Sequence, residues 1–463
     1  MTPPSLSADV FDRLPAEAQA YIRVLETRLA ALEARLNLTS SNSSKSPSSD
    51  PPSAKPAPPR PKSGKRRGGQ PGHPRHLRPP LPPDVVLELR PEACGHCRAA
   101  LAGDDPAPLT HQVIELPPVR PHVTEYRRHR LTCARCGRAT CPALPAEVSG
   151  GYGPRVQAVC ALLAGAYRLG KRPIAALCRD LFGVPISPAA VCRLESRTAA
   201  ALAPAAEAVR QYVAGRPANV DETGWRQGRK RAWLWVAVTQ FVTAFTIRLS
   251  RGRAVLSDLI GGPPGILTTD RYSVYDHLPT DARQVCWAHL RRDFQAMIDR
   301  ANAGTAIGED LLTYADIALG HWKRVRDGTL TRNGFRRRHL SWLRPAVREL
   351  LEVGAGCGCA ATAAVCRNLL AIEPALWTFA AAAGVEPTNN AAERALRHAV
   401  CLRKTSYGTD SADGSRFVER LLTAVASCRQ QGRDVLAFVT DTVQAARLGT
   451  MPPALIPAHA SAA

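Results

Sequence analysis

Residues 218–250 have the sequence ANVDETGWRQGRKRAWLWVAVTQFVTAFTIRLS, and this stretch predicts the fold. Three segments rich in Val, Trp, Phe, Thr and Ile (ANVDETGW, RAWLWVAVTQ and FVTAFTIRLS) predict consecutive β-strands. Downstream, RAVLSDLI predicts a short helix, GILTTD a fourth strand, and RQVCWAHL a fifth strand that leads into the helix RRDFQAMI. Three antiparallel strands followed by alternating helix and strand predict an α/β layer fold.

Three acidic residues stand out in and after this stretch: Asp221 in NVDETGW, Asp270 in ILTTDRYSVYDHL and Glu393 in TNNAAERALR. The first two follow apolar, strand-like runs, whereas Glu393 lies in a segment with a helical pattern. Two carboxylates at strand ends and one on a later helix form the arrangement needed to hold two divalent metal ions, which clamp the attacking and leaving oxygens of a phosphodiester. This pattern predicts metal-dependent chemistry on DNA or RNA.

The first two acids each have a plainer interpretation. Asp221 could cap a turn at a strand end, and its neighbour Glu222 points to the opposite face of a strand, which makes it the poorer ligand. Asp270 could begin the turn DRYS, and Asp276 is a rival acid six residues further on, already inside the following turn. We favour Asp221 and Asp270 as the catalytic acids.

Glu393 has the strongest alternative, a role in its own helix. Asn390 and Glu393 have the spacing of a capping box, and Glu393 and Arg397 have the spacing of a helical ion pair. Glu386 is the rival third acid, but it precedes Pro387 and is therefore not expected within a helix.

Three further polar residues accompany the acids in sequence. Arg394 and Arg397 could clamp phosphates near the metal ions, or could be surface arginines without a specific partner. His289 could orient a nucleophile or a ligand, although a satisfied core or helix-start histidine is the simpler interpretation.

Composition limits the classes of function. The 463 residues allow two to four domains, and a formal net charge of +22 favours a polyanionic partner over the competing possibility, a membrane surface. No apolar run of about 18 residues predicts a membrane span. The N-terminal sequence is not typical of a secretory signal, so the 14 cysteines are expected in a reducing compartment.

Residues 1–40 predict a coiled-coil helix. Apolar residues step by three and four through it: Ile22, Leu25, Leu29, Leu32 and Leu36. Dimerisation through this seam is the favoured interpretation, and a single amphipathic helix packed on its own domain is the alternative.

Residues 41–90 predict a disordered, basic linker, because serine and proline dominate and too little apolar surface is present to fold. Its basic side chains could contact DNA phosphates or enter a minor groove, or the segment could be a solvated linker without a set partner. These candidate DNA-binding residues are Lys62, Lys65, Arg66, Arg67, Arg75 and Arg78.

Residues 91–145 predict a zinc-binding module. Cys94 and Cys97 form one Cys-x-x-Cys knuckle, CGHC, and Cys133 and Cys136 form another, CARC. Four thiolates from two knuckles bind zinc tetrahedrally and replace a hydrophobic core in a module of this size. His96 and Cys141 are alternative ligands.

Residues 146–215 predict a helical region. Within it, IAALCRDLFGVPISPAAVCRLESRTAA predicts two helices with a turn at 183–185, Ser187 as the N-cap and Pro188 at the first helical position. The pair could be a DNA-binding helix-turn-helix or a plain helical hairpin.

The remaining segments complete the predicted domains. Residues 216–300 form the first part of the core, 301–385 an all-helical insertion with a basic run at Arg332–His339, and 386–410 the second part of the core with Glu393. Residues 411–450 predict two helices broken at Gly432, and 451–463 a disordered tail.

The ordered set of NSSKSPSSD, RRGGQPGH, the two knuckles, VDETGW, TTDRYSVY, CWAHLRRDF and TNNAAERALR resembles the transposase of the insertion-sequence sixty-six family, over almost the whole chain. The resemblance implies a multidomain DDE transposase whose ribonuclease H-like α/β core is interrupted by the helical insertion, with Asp221, Asp270 and Glu393 as its catalytic triad. It implies two Mg²⁺ (or Mn²⁺) ions at the triad and a structural Zn²⁺.

The resemblance also implies partners and a location. We expect the chain to bind the terminal inverted repeats of its element and target DNA, to cleave a phosphodiester at the element's end, and to join the freed 3′-hydroxyl to the target. Homo-oligomerisation, small accessory proteins and a cytoplasmic, nucleoid-associated location in a bacterium are expected, with no role at a membrane. An inactive DNA-binding relic and a nuclease that cuts without joining are the alternatives.

Overall fold

The computed structural model describes residues 8–43, 50, 72, 78–148, 150–261 and 265–458. Its strands are β1 (Leu131–Thr132), β2 (Ala139–Thr140), β3 (Ala218–Gln227), β4 (Lys230–Val238), β5 (Thr243–Arg248), β6 (Leu267–Thr269) and β7 (Arg283–Val285). Its α-helices are α1 (Ala8–Phe11), α2 (Ala16–Leu36), α3 (Pro154–Gly165), α4 (Lys171–Phe182), α5 (Pro188–Val213), α6 (Arg253–Ile260), α7 (Trp287–Asp299), α8 (Thr305–Arg326), α9 (Arg332–Phe335), α10 (Ser341–Ala355), α11 (Ala360–Ala371), α12 (Thr378–Ala381), α13 (Asn390–Ser406), α14 (Ala412–Gln430) and α15 (Val435–Leu448). A π-helical turn, Arg336–Leu340, joins α9 to α10.

A five-stranded mixed sheet with the order β5-β4-β3-β6-β7 organises the core. Strands β3, β4 and β5 are antiparallel, whereas β6 runs parallel to β3 and β7 parallel to β6. The β3–β4 hairpin turns at Gly228, whose φ of +59° suits a residue without a Cβ atom. The predicted mixed α/β region with helices is therefore confirmed.

The predicted fifth strand is wrong over its second half. Strand β7 ends at Val285, and α7 begins at Trp287 instead of Arg291. Trp287, Leu290, Phe294 and Met297 are all buried, which is a helical spacing that continues across the expected boundary.

Helix α14 packs along the edge of the sheet that β5 forms. The backbone N–H groups at alternate positions of the edge strand β5 donate to side chains one turn apart on α14: the N–H of Thr243 to Ser427 Oγ and the N–H of Phe245 to Thr423 Oγ1, both at 3.0 Å. The N–H of Ile247 continues this series to Glu419. Because an edge strand otherwise presents unpaired N–H groups to other chains, this helix prevents further strand addition.

The described residues form two hydrophobic cores. The first joins the sheet to α3, α5, α14 and α15 and includes Leu202, Trp235 and Leu421. The second lies between α7 and the helices of 301–385, where the described residues form helices and no strands. Trp287 links α7 to the helical segment 301–385, since its indole N–H donates to the carbonyl oxygen of Leu376 at 2.7 Å.

The predicted helical pair within 146–215 is present as α4 and α5. Helix α4 ends at Gly183, which has a left-handed φ of +62°, and Ser187 Oγ accepts the N–H of Ala190 at 3.2 Å as the N-cap of α5. Pro188 is the first residue of α5, as predicted. Helix α5 runs for 26 residues and packs into the first core, and the domain boundary and any DNA contact of this pair stay predictions.

The two ends of the chain differ from each other in their packing. Leu25, Leu29, Leu32 and Leu36 on α2 are exposed. By contrast, Leu455 in the predicted disordered tail is buried, and its carbonyl oxygen accepts the side-chain amide of Gln431 at 2.9 Å. The tail prediction is therefore wrong as far as residue 458, and residues 459–463 lie outside the described part. None of the helices that the structure describes is long and apolar enough to cross a bilayer.

Candidate active site

Sheet register brings the first two predicted acids level with each other. Ala218 pairs with Leu267 and Asn219 with Thr268 in the parallel β3–β6 ladder. Continuing this register by two residues places Asp221 opposite Asp270, and residues level with each other in parallel strands project from the same face. Asp221 is the fourth residue of β3 and not at its end as expected, while Asp270 directly follows β6.

Hydrogen bonds hold the start of α13, and with it Glu393, against β3. Asn389 is fully buried, and its side-chain amide donates to the carbonyl oxygen of Val220 at 2.9 Å. The amide of Asn219 donates to the carbonyl oxygen of Thr388 at 3.2 Å. Glu393 therefore projects from the first turn of a helix that is fixed beside Asp221.

Glu393 takes part in neither the capping box nor the ion pair with Arg397 that its spacing allowed. Asn389, not Asn390, is the N-cap of α13, and it makes no side-chain capping bond. In the described part of the chain, Glu393 has an ion pair with His289 and none with Arg397. The rival acid Glu386 faces the insertion, where it accepts the indole N–H of Trp322 at 3.1 Å.

The carboxylates in this region divide into those that pair with an arginine and those that do not. Glu222 accepts Arg251 Nε at 2.9 Å and the hydroxyl of Tyr275 at 2.8 Å, and Asp293 accepts Arg271 Nε at 3.0 Å. Asp276 pairs with the buried Arg283 at 3.3 Å. Among the described residues, no lysine or arginine lies within ion-pair distance of the three remaining carboxylates, which are Asp221, Asp270 and Glu393.

The three acids without a lysine or arginine partner interact electrostatically. Burial raises the pKa of Asp221 well above its usual range, and the negative charges of Glu222, Asp270 and Glu393 raise it further. Burial also raises the pKa of Glu222, and the charge of Asp270 adds to the effect, although Tyr275 and Arg251 oppose it. The site therefore concentrates negative charge, and no lysine or arginine among the described residues pairs with Asp221, Asp270 or Glu393.

The donor set fits a hard divalent cation such as Mg²⁺, which prefers carboxylate oxygens. Oε1 of Glu393 is buried and has no hydrogen-bond partner among the described residues. Such an atom costs free energy unless a cation or a donor satisfies it.

Cys286 and His289 complete the surroundings of the third acid. One ligand atom from each of Cys286, His289 and Glu393 lies within 4.8 Å of the others, and His289 Nε2 is 3.6 Å from Glu393 Oε1. Nδ1 of His289 is buried and has no hydrogen-bond partner among the described residues, although His289 does lie in the first turn of α7, as the simpler interpretation of a helix-start histidine expected. Cys286 was not singled out from the sequence, although its i, i+3 spacing from His289 at a helix start was a visible signal.

The candidate DNA-binding residues are spread over several regions. Arg394 and Arg397 are exposed on α13, the helix that bears Glu393. Arg78 is exposed in the compact unit formed by residues 55–122, where its guanidinium donates to the carbonyl oxygen of Gln112 at 3.2 Å. The other five, Lys62, Lys65, Arg66, Arg67 and Arg75, lie outside the described residues.

The two cysteine knuckles share one backbone geometry. The N–H of Arg98 donates to the carbonyl oxygen of Cys94 at 3.0 Å, and the N–H of Gly137 to that of Cys133 at 2.9 Å. Arg98 and Gly137 occupy the same position in their knuckles, with left-handed φ values of +64° and +68°. These turns aim backbone amides at the first sulfur of each pair.

The amides change the acidity of those sulfurs. The pKa values of Cys94 and Cys133 are lowered, mainly because the N–H groups three and two residues further on donate to each thiolate. Since zinc binds the thiolate form, this geometry favours metal binding at both knuckles.

Comparison with known proteins identifies the family. A family model described as the IS66 family of transposases matches residues 150–416, more than half of the chain. The chain belongs to this family. A second model, the zinc-finger binding domain of IS66 transposases, matches residues 91–137, and a family of unknown function, DUF6444, matches residues 2–79.

The matched segments of this IS66-family chain contain the candidate sites. The transposase match includes Asp221, Asp270 and Glu393, and the zinc-finger match supports a structural Zn²⁺ and includes all four predicted cysteines. The chain is also similar to an uncharacterised protein, y4qI, of Sinorhizobium fredii, with 26% identity over 235 residues. That similarity covers 46% of this chain and 43% of the relative.

Proposed function

We propose that this chain is a DDE transposase with a ribonuclease H-like core, which binds the terminal inverted repeats of its insertion sequence and catalyses metal-dependent DNA cleavage and strand transfer. The division of carboxylates at the site carries the proposal. Neighbouring acids are neutralised by arginines, whereas Asp221, Asp270 and Glu393 are left without one. A structural role would favour pairing all six, but a cation site requires three of them to remain free.

Asp221, Asp270 and Glu393 are the residues that would hold two Mg²⁺ or Mn²⁺ ions. Bound there, the ions would supply Lewis-acid stabilisation of the charge that develops on the phosphodiester. The protein's own contribution is position: the β3–β6 register aligns the two aspartates, and Asn389 fixes the glutamate beside them. His289 faces Glu393 and orients its carboxylate.

The zinc module has a structural role in this proposal, with Cys94, Cys97, Cys133 and Cys136 as its ligands. The lowered pKa of the first thiol in each knuckle and the zinc-finger match support this assignment. The boundaries proposed for it are residues 91–145.

DNA is the proposed partner because the chain has a net charge of +22. Arg394 directly follows Glu393 and Arg397 lies one helical turn after it; both are exposed, and we propose that they contact phosphates near the metal site. The exposed leucines of α2 support self-association through a coiled coil, in which they would be covered by a second copy. We also propose small accessory proteins of the same element as partners.

The test is a strand-transfer assay with the full-length protein, Mg²⁺ and duplexes that carry the terminal repeats. Asp221→Asn and Glu393→Gln should each reduce cleavage and joining by at least about 100-fold, because each removes an anionic ligand at unchanged size. Asp276→Asn and Glu386→Gln are matched controls, since they neutralise the rival acids, and both should retain activity.

Each other result has a defined meaning. Full joining by both Asp221→Asn and Glu393→Gln would show that the triad is wrongly assigned. Binding of the terminal repeats without nicking under either metal would identify a DNA-binding relic. Cleavage without joining would identify a nuclease.

A further inference from the structure

The helical insertion contains a strongly basic segment that lies outside the proposed active site. Residues 323–348 contain nine lysines and arginines and a single acidic residue, Asp327. They run from the end of α8 through α9 and the π-helical turn into α10. Neither the metal site nor the zinc module uses any of these residues.

The structure separates the arginines that stabilise the insertion from those that face solvent. Arg332 points inward, where its guanidinium donates to the carbonyl oxygens of Phe379 and Ala382 and lies 4.9 Å from the ring centre of Trp322. Arg336 and Arg337 are exposed, and neither guanidinium group has an ion pair or a hydrogen bond within the described residues. These two charges therefore have no structural use in the folded chain.

The free arginines lie on one helix face together with two more. Arg336, Arg337, Arg344 and Arg348, which we call the basic face, line a groove of about 560 Å³ with Asn333, Leu340, Ser341 and Pro345. The groove-lining residues recur every three to four positions, so they follow one side of the helical segment, and Arg336 to Arg348 span about 18 Å along it. Glu373 and Glu352 partly neutralise Arg344 and Arg348, which leaves the net charge of the face with Arg336 and Arg337.

A second feature shows that the surrounding potential is positive. The rings of His321 and His339 stack with their centres 3.6 Å apart, beside Arg324 and Arg338. Burial lowers the pKa of both histidines, and the positive charge of Arg324 lowers them further. The two histidines therefore lie where protonation would add to an accumulation of positive charge.

The basic face belongs to the same body as the proposed active site. Trp322 at the end of α8 donates its indole N–H to Glu386, and Arg326 lies 3.7 Å from the same carboxylate. Glu386 directly precedes the segment through which Thr388 and Asn389 hold α13 against β3. The insertion that carries the basic face therefore contacts the segment that positions Glu393.

We propose that the basic face binds the phosphate backbone of the duplex DNA on which the active site acts, through Arg336 and Arg337. The proposal rests on the proposed function for the identity of the polyanion. Guanidinium groups form bidentate hydrogen bonds with phosphate oxygens, and a row of them along a helix matches the linear charge of a strand. The contact is independent of base sequence.

The test is the salt dependence of DNA binding by the full-length protein, measured by fluorescence anisotropy without Mg²⁺ so that no cleavage occurs. Two duplexes of equal length are used, one with the terminal repeat and one with random sequence. The double variant Arg336→Ala/Arg337→Ala is compared with Arg229→Ala/Lys230→Ala, a control that removes the same charge from two exposed residues of the β3–β4 hairpin.

Each lost phosphate contact lowers the slope of log K against log salt by about 0.9, so the double variant should lose about 2 from the slope and bind both duplexes about 10-fold or more weakly at low salt. The control should keep the wild-type slope. An unchanged slope, an equal loss in the control, or a loss confined to the terminal repeat would overturn the proposal. Because binding is measured without catalysis, a failure of the triad assignment would leave this result unaffected.

Discussion

His289 Nε2 lies 3.6 Å from Glu393 Oε1, and this contact joins the first turns of α7 and α13 across the helical insertion that separates them in sequence. Both partners also carry a buried polar atom without a hydrogen bond in the described residues, Nδ1 of the histidine and Oε1 of the glutamate. Such a pair is well placed to orient a carboxylate ligand, and it yields the first prediction.

Replacing His289 by alanine should lower the cleavage rate by about 10-fold and raise the Mg²⁺ concentration needed for half-maximal activity, because an outer partner that orients a ligand contributes about 10–100-fold. His289→Gln should recover part of the loss. His277→Ala, an exposed histidine, is the control. Unchanged rate and Mg²⁺ dependence in His289→Ala would remove this residue from the mechanism.

The raised pKa of Asp221 predicts how Mg²⁺ and pH affect stability. A carboxyl whose pKa is higher in the folded state stabilises the fold at low pH, and this contribution is lost as pH rises from about 3.9 through the raised value. Without Mg²⁺, the melting temperature of the wild type should therefore fall relative to that of Asp221→Asn over this range.

Mg²⁺ should reverse that difference near neutral pH, since a ligand that binds only the folded state raises the melting temperature. The wild type should gain a few degrees and Asp221→Asn almost nothing, as measured by thermal denaturation. An equal Mg²⁺ response in the two proteins would contradict metal binding by Asp221.

The buried Glu222 predicts a coupled pair of substitutions. Its side chain is 1% exposed and depends on Arg251 and Tyr275, so Arg251→Ala should destabilise the fold by about 2 kcal/mol by leaving a buried carboxylate underpaired. Adding Glu222→Gln should recover part of this loss, because the amide carries no charge. Thermal denaturation of both single variants and the double variant measures the coupling; additive effects would argue against the ion pair.

The zinc assignment predicts which thiols matter. Cys94→Ser and Cys133→Ser should each lower bound zinc well below one ion per chain, since serine is not a thiolate ligand. Cys141→Ser, an exposed cysteine outside the zinc-finger match, should retain zinc and serves as the control. Metal analysis of the purified proteins tests this prediction. One zinc ion per chain in Cys94→Ser would exclude the Cys94–Cys97 knuckle from the zinc site.

Local patterns were enough to predict most of the secondary structure near the site. Segments rich in Val, Trp, Phe, Thr and Ile predicted β3 to β5, and Ser187 with Pro188 predicted the start of α5. The boundary of α7 was missed because Cys286 and Trp287 suit both a buried strand and a buried helix start. The tail was missed because one buried side chain, Leu455, carries no periodic signal.

The sequence by itself predicted the three acids, the two cysteine knuckles and the order of the domains, since each prediction depends on residue types in short segments. Only the tertiary structure decided which acids are free. Arg251 and Glu222, Arg271 and Asp293, and Arg283 and Asp276 meet through folding, and the β3–β6 register aligns Asp221 with Asp270. Pairing between parallel strands and across an insertion depends on long-range packing, which no local pattern encodes.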